Sequence, residues 1–196
     1  MFIVEDIEIS FSEEFNRLVN CKINNFVKEM FSENQSVSYY NKNRNAKKAG
    51  DDIFLGKKAE YAALYALVKH FNFPETEIDL EIRKNNKKKW IKDLIFGKGY
   101  PDTHVKSCSK SSYEYCGQYS WLFQLKNKYD NYGKDEIFSS DDSDLVVFVY
   151  IDDMYSPDAT IKAIAPWGKV KLALKDPMKK TYHGIKKALY LPDLIT

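Results

Sequence analysis

The stretch WIKDLIFGKGYPDTHVKS, Trp90 to Ser107, alternates apolar and polar residues on either side of a turn-rich centre, GKGYPD. That pattern predicts two antiparallel strands joined by a tight turn, with Asp93 on the first roughly across from Thr103 and His104 on the second. His104 and Lys106 stand two residues apart, so in an extended strand they share one face. An acid, an imidazole and an ammonium are thereby expected at one spot.

Upstream, IDLEIR (78–83) alternates in the same way and is separated from Trp90 by the polar run KNNKKK, which predicts a three-stranded antiparallel meander. Downstream, DLVVFVYI (144–151) is apolar almost throughout, the texture of a strand buried on both faces at the centre of a sheet. Two amphipathic segments precede the meander. Residues 11–31 place Phe15, Leu18, Val19, Ile23, Phe26, Val27 and Met30 at helical steps, with Ser10 and Glu13 as a capping box. Residues 54–71 form a second helix whose alanines make a close-packing face, ended by Pro74. Between them, 33–52 is polar and aperiodic and reads as a loop or arm. The tract 110–131 reads as short helix or irregular chain, 159–165 and 169–174 as short strands, and 182–191 as a last helix. The expected architecture is α/β (α+β): one domain with a mixed central sheet flanked by helices, residues 1–53 giving a helix and polar arm and 54–196 the core.

Composition agrees with one self-supporting core. The 196 residues are 44% hydrophobic and 15% aromatic, with 8 Gly and 6 Pro, which excludes disordered and fibrous classes. Cys21, Cys108 and Cys116 are an odd, dispersed set, read as free thiols of a reducing compartment. The N-terminus MFIVEDIEIS lacks the pattern of a secretory leader, and no run approaches the ~18 apolar residues of a membrane span, so a cytoplasmic protein without a membrane partner is expected. A net charge of +2 conceals basic clusters at 42–48, 83–92 and 169–187 and an acidic one at 135–153. That separation suits a polyanionic partner, and equally suits solvated surface faces.

Hydrolysis of a phosphodiester by a divalent metal needs carboxylates to hold the cation and a cationic group near the phosphate. Glu60, in GKKAEYAAL, adds a second acid from a helix able to lie close to the sheet. With it, the order of elements (helix with Glu, strand with Asp, strand with xK, aromatic-rich segment, buried strand) resembles the restriction-endonuclease-like superfamily and its PD-(D/E)xK motif. The resemblance covers about 56–151 and departs from the pattern at His104, which gives HVK where DxK or ExK is usual. It implies a DNA endonuclease using Mg2+, with Mn2+ as the alternative. Asp93 would be the metal-binding Asp, Lys106 the catalytic Lys and Glu60 the supplementary acid, with His104 at the remaining position. Asp102 follows Pro101 but lies too near His104 for the family's spacing, and is a substitute metal ligand. Double-strand cleavage would imply a homodimer on double-stranded DNA.

Further contacts to nucleic acid are expected from the arm YYNKNRNAKK (39–48), which mixes aromatics with Asn, Lys and Arg, at Asn43, Arg44, Lys47 and Lys48. Ser107, Gln118, Ser120 and Gln124, near Trp121, are expected to add polar contacts, with Trp121 itself read as core. Plainer roles stand beside these. The arm could be an ordinary surface loop, Glu60 could pair with Lys57 or Lys69 on a surface, Lys106 could face solvent, and His104 could be a hydrogen-bonded strand histidine off the metal. Cys108, Cys116 and His104 lack the spacing of a zinc site. The alternative function is a nuclease-fold protein that binds nucleic acid or a protein partner without cutting.

Overall fold

The run DLVVFVYI supplies β4 (Leu145–Ile151), and in the computed structural model all of β4 but Tyr150 is buried. The structure describes residues 6–33, 46–80, 92–125 and 135–195. β4 lies inside a four-stranded mixed sheet with β1 (Ile7–Ser10), β2 (Thr103–Ser109) and β5 (Asp158–Pro166), in the order β1-β5-β4-β2. It pairs parallel with β2 and antiparallel with β5, which in turn pairs antiparallel with β1.

Successive β4 side chains feed two cores, as the two-residue period of a strand requires. Leu145, Val147, Val149 and Ile151 pack with Ala59, Ala62, Ala63, Ala66 and Leu67 of helix α2 (Ala46–Phe71). Val146 and Phe148 join Trp121, Phe123, Trp167 and Leu189 on the other face. That second layer is built from a two-stranded antiparallel ladder, β3 (Ser120–Gln124) with β6 (Lys186–Tyr190), and from the short helices α4 (Trp167–Ala173) and α5 (Leu191–Ile195). Another short helix, α3 (Lys110–Cys116), links β2 to β3. Helix α1 (Glu13–Glu33) rests on α2 through Val19, Ile23 and Phe54. The expected mixed sheet flanked by helices is present, and no helix among the described residues is long and apolar enough to cross a membrane.

Several elements differ from the sequence reading. Helix α2 begins at Ala46, inside the segment read as a polar arm, so the boundary at 53/54 falls within a helix. Its buried Ala49, and Gly50 beside Val27 and Phe31, pack that extra length against α1. Helix α1 is capped by Ser12, whose Oγ accepts from the Phe15 amide at 3.2 Å, and not by Ser10, which sits in β1 and donates to Asp158. Residues 167–173 are helical, not a strand, because Trp167 and Val170 bury at a three-residue step. The expected last helix over 182–191 is instead mainly β6, drawn into a ladder by β3. Ile78–Leu80 form no strand, and the rest of the first meander strand lies outside the described residues.

Lys58 on α2 is 0% exposed. Its Nζ donates to Asn16 Oδ1 (3.0 Å), to the Met154 carbonyl (2.8 Å) and to the Ser156 carbonyl, filling all three donors of the ammonium. Burial pushes its pKa down to about 8 despite Asp153 and Asp158 nearby. With every donor occupied, Lys58 is a structural tie between α1, α2 and the β4–β5 connection. Lys58→Met strands those acceptors, and a loss of about 1–3 kcal/mol is expected, read as a lower urea midpoint at pH 7. An unchanged midpoint would show that the tie contributes nothing.

Candidate functional site

β2 stands next to β4, and on its other side, among the described residues, one antiparallel bridge joins Leu94 to Thr103. Gly97 and Gly99 turn the chain between them with φ of +85° and +95°, values that a side chain would resist. The Thr103 carbonyl accepts from the amides of Asp93 (3.2 Å) and Leu94 (3.0 Å). Pairing stops there, and the Val105 amide receives a side-chain acceptor instead: Asp93 Oδ2 at 2.7 Å. The turn thus brings Asp93 alongside Thr103, His104 and Val105, as its position in the hairpin predicts.

The parallel register sets Thr103, Val105 and Ser107 against Leu145, Val147 and Val149, and His104, Lys106 and Cys108 against Val146, Phe148 and Tyr150. His104 and Lys106 therefore share the face turned away from α2, and Val105 packs into the core beneath α2. His104 is buried, with Nε2 2.6 Å from Ser140 Oγ. Burial lowers the imidazole pKa, opposed by Asp93 and Asp144 and reinforced by Lys106 and Lys92, which favours the neutral ring. Lys106 Nζ donates to Asp135 Oδ2 at 2.8 Å and lies 5.2 Å from the centre of the Phe123 ring. The same Asp135 oxygen accepts from the Gln124 amide at 2.9 Å, fixing the end of β3 beside Lys106.

Glu60 approaches from α2. It is 6% exposed and bonded to Lys57 Nζ at 2.9 Å, so the pairing with Lys57 exists but is buried rather than superficial. Desolvation raises the Glu60 pKa to about 8, against the pull of Lys57 and with additional repulsion from Asp93 and Asp79. Asp93 is thus an electrostatic neighbour both of Glu60 and of His104. Asp102 is directed elsewhere: it bonds Lys92, whose Nζ is also 3.8 Å from Asp144.

Of the expected nucleic-acid contacts, Lys47 and Lys48 are exposed in the first turn of α2, and Asn43 and Arg44 lie outside the described residues. Lys48, Ser107 and Ser120 line one cleft of about 420 Å³. Gln118 and Gln124 are half-buried near Trp121, which is 1% exposed and donates to the Val149 carbonyl. The partners Asp135, Ser140 and Lys92 carry no signal of their role in the sequence. Only the acidic clustering over 135–153 hints that a carboxylate meets Lys106. No protein-family model, curated protein or solved structure matches the chain.

The Glu60 geometry has a pH signature. A carboxyl whose pKa is about 8 folded and about 4.5 unfolded keeps a proton that the unfolded chain releases. Its contribution to stability is complete below about pH 4.5 and is lost as pH rises to about 8. In EDTA, the wild-type urea midpoint is expected to fall more steeply between pH 5 and pH 8 than that of Glu60→Gln. Parallel curves would refute the buried, protonated carboxyl.

Proposed function

We propose that the chain is a divalent-metal-dependent deoxyribonuclease acting on double-stranded DNA, with Glu60, Asp93, His104 and Lys106 as its working groups. The observation that carries this reading is the clasp of Asp93 on the Val105 amide, between His104 and Lys106 in sequence and next to Glu60 electrostatically. The order of a helix with Glu60, a bridge segment with Asp93, a strand with His104 and Lys106, and the buried β4 also supports it.

Among the described residues no three His, Cys, Asp or Glu side chains are grouped as ligands of a metal ion. Glu60 lies on the α2 side of the sheet and His104 on the other, and Asp93 is the electrostatic neighbour of both, so at most the two carboxylates with one imidazole near Asp93 are on offer. Such a set suits magnesium, which retains several waters and is held by one or two carboxylates together with substrate phosphates; manganese accepts imidazole more readily. Asp93 and Glu60 would hold the ion, with His104 adjoining, and the ion would supply an acidified water and neutralise phosphate charge. Asp93 is preoriented for this by its amide bond. Glu60 must give up its proton and share its charge with more than Lys57. Neutral His104 orients through Ser140, and Lys106 would exchange Asp135 for a phosphate oxygen, placing its ammonium where negative charge develops. Cutting both strands would need two copies of the chain, one site for each strand.

A second reading is a DNA-binding protein that does not cut. It is favoured by the occupancy of each group: Lys106 by Asp135, His104 by Ser140 and Glu60 by Lys57. Supercoiled plasmid incubated with Mg2+, Mn2+ or EDTA separates the two. Metal-dependent nicking or linearisation is expected, reduced at least ~100-fold by Asp93→Ala and by Lys106→Ala. Intact plasmid with both metals, alongside retained DNA binding, would sink the nuclease and leave the second reading.

A further inference from the structure

Among the described residues, no Asp or Glu lines the cleft of about 420 Å³ between β2, α3, the β3–β6 ladder and the segment before β6, in a chain with 28 of them. Its cations are Lys48, from the first turn of α2, and Lys179, both exposed. Among the described residues no carboxylate pairs with either. The contrast with the adjacent cleft is sharp: that one shares Lys48 but is lined by Asp51, Asp52, Glu114 and Asp152, which would repel a phosphate.

Hydroxyls and rings complete the surface. Ser111 and Ser112 stand in the first turn of α3, their Oγ atoms 3.0 and 3.2 Å from Ser109 Oγ, which fixes them at the cleft wall. Ser107, next to Lys106 in β2, lies on the same wall. Tyr115 is 64% exposed, far more than a packing role for a tyrosine requires. Lys179 Nζ lies 5.9 Å from its ring centre and 5.1 Å from that of Tyr182, so a single cation sits over two rings. The opposite wall is held in place by Tyr190, whose hydroxyl accepts from the Met178 amide at 2.8 Å.

We infer that this cleft binds an unpaired nucleotide of a nucleic-acid strand, with Lys48 and Lys179 on backbone phosphates, the serine hydroxyls on phosphate or sugar oxygens, and a base stacked on Tyr115. The inference rests on the reading of the protein as one that engages nucleic acid, and names the part of the substrate taken by this cleft: a strand end or a splayed nucleotide, since paired bases inside a duplex present no open face to a tyrosine. Lysines without carboxylate partners supply the salt-sensitive term, and aromatic rings the sequence-tolerant one.

Fluorescence anisotropy of the full chain in EDTA tests this, with labelled single strands of about 20 nucleotides, longer than one binding site, and the matching duplex as probes. Tighter binding of the single strand is expected. Lys48→Ala with Lys179→Ala should weaken it at least about tenfold and reduce the slope of log affinity against log salt by about 1.4, the value for two phosphates on a single strand. Tyr115→Ala, at an exposed site that folding does not depend on, should weaken single-strand binding at least about fivefold and leave the duplex unaffected. Equal binding of both probes, or single-strand affinity unmoved by all these substitutions, would overturn the inference. Because the assay excludes cleavage, single-strand binding by a chain that leaves plasmid intact would uphold the cleft and reject the nuclease.

Discussion

Burial of β4 on both faces is the constraint from which the other elements follow. A strand of Leu, Val, Val, Phe, Val, Tyr and Ile in the middle of a sheet must be covered twice, each large side chain contributing about 1.5–3 kcal/mol on leaving water. One cover is α2, whose alanines at 59, 62, 63 and 66 are 0% exposed and let the helix lie directly on Val147 and Val149. The other is made of larger pieces, Trp121, Phe123 and Trp167, carried by short elements that could not cover the face singly. The parallel pairing of β2 with β4 demands a long connection. That connection contains α3, β3 and the turn that delivers Asp135 and Ser140 to the side chains of β2.

Much of this was legible where the determinants are local. The apolar run of β4, the alanine face of α2 with its stop at Pro74, and the GKGY turn depend on neighbouring residues, so periodicity and turn chemistry suffice. The parity of His104 and Lys106 follows from the two-residue period alone. Elements fixed by distant partners were not legible. Ser120–Gln124 becomes a strand because it meets Lys186–Tyr190, near the far end of the chain, and β1 owes its four residues to the edge of β5. Neither segment carries enough local pattern to reveal its partner, and 182–191 reads as a helix until the ladder is present. The segment 167–173 shows the opposite error: its alternating lysines imitate a strand, whereas the buried pair Trp167 and Val170 gives it a helical contact with the core.

The candidate site divides along the same line. Residue types and their spacing along the hairpin anticipated that Asp93 lies alongside Thr103 and His104 and that His104 and Lys106 share a face. What each is bonded to is set by chain brought in from afar: Lys106 meets Asp135 across 29 residues and His104 meets Ser140 across 36. Asp102 illustrates the limit of a motif read literally. It follows a proline in the expected way, but its carboxylate is taken by Lys92, ten residues earlier, and is not directed towards Glu60.

These internal partnerships are not equally hard to exchange for substrate. The Lys106–Asp135 pair is partly open to water, with side-chain exposures of 21% and 28%. Pairs near a surface contribute on the order of 1 kcal/mol or less, so a backbone phosphodiester, which carries the same single negative charge as a carboxylate, would displace Asp135 at small cost on the proposed reading. The Lys57–Glu60 pair is enclosed, at 10% and 8%, and Glu60 there favours its protonated form. Freeing it uncovers a buried charge, which is far more costly unless positive charge enters at the same time. On the proposed reading the arrangement would impose an order on chemistry at β2: Lys106 would be available to a phosphate first, and Glu60 would become a carboxylate ligand only if a cation entered to stabilise its charge beside Asp93.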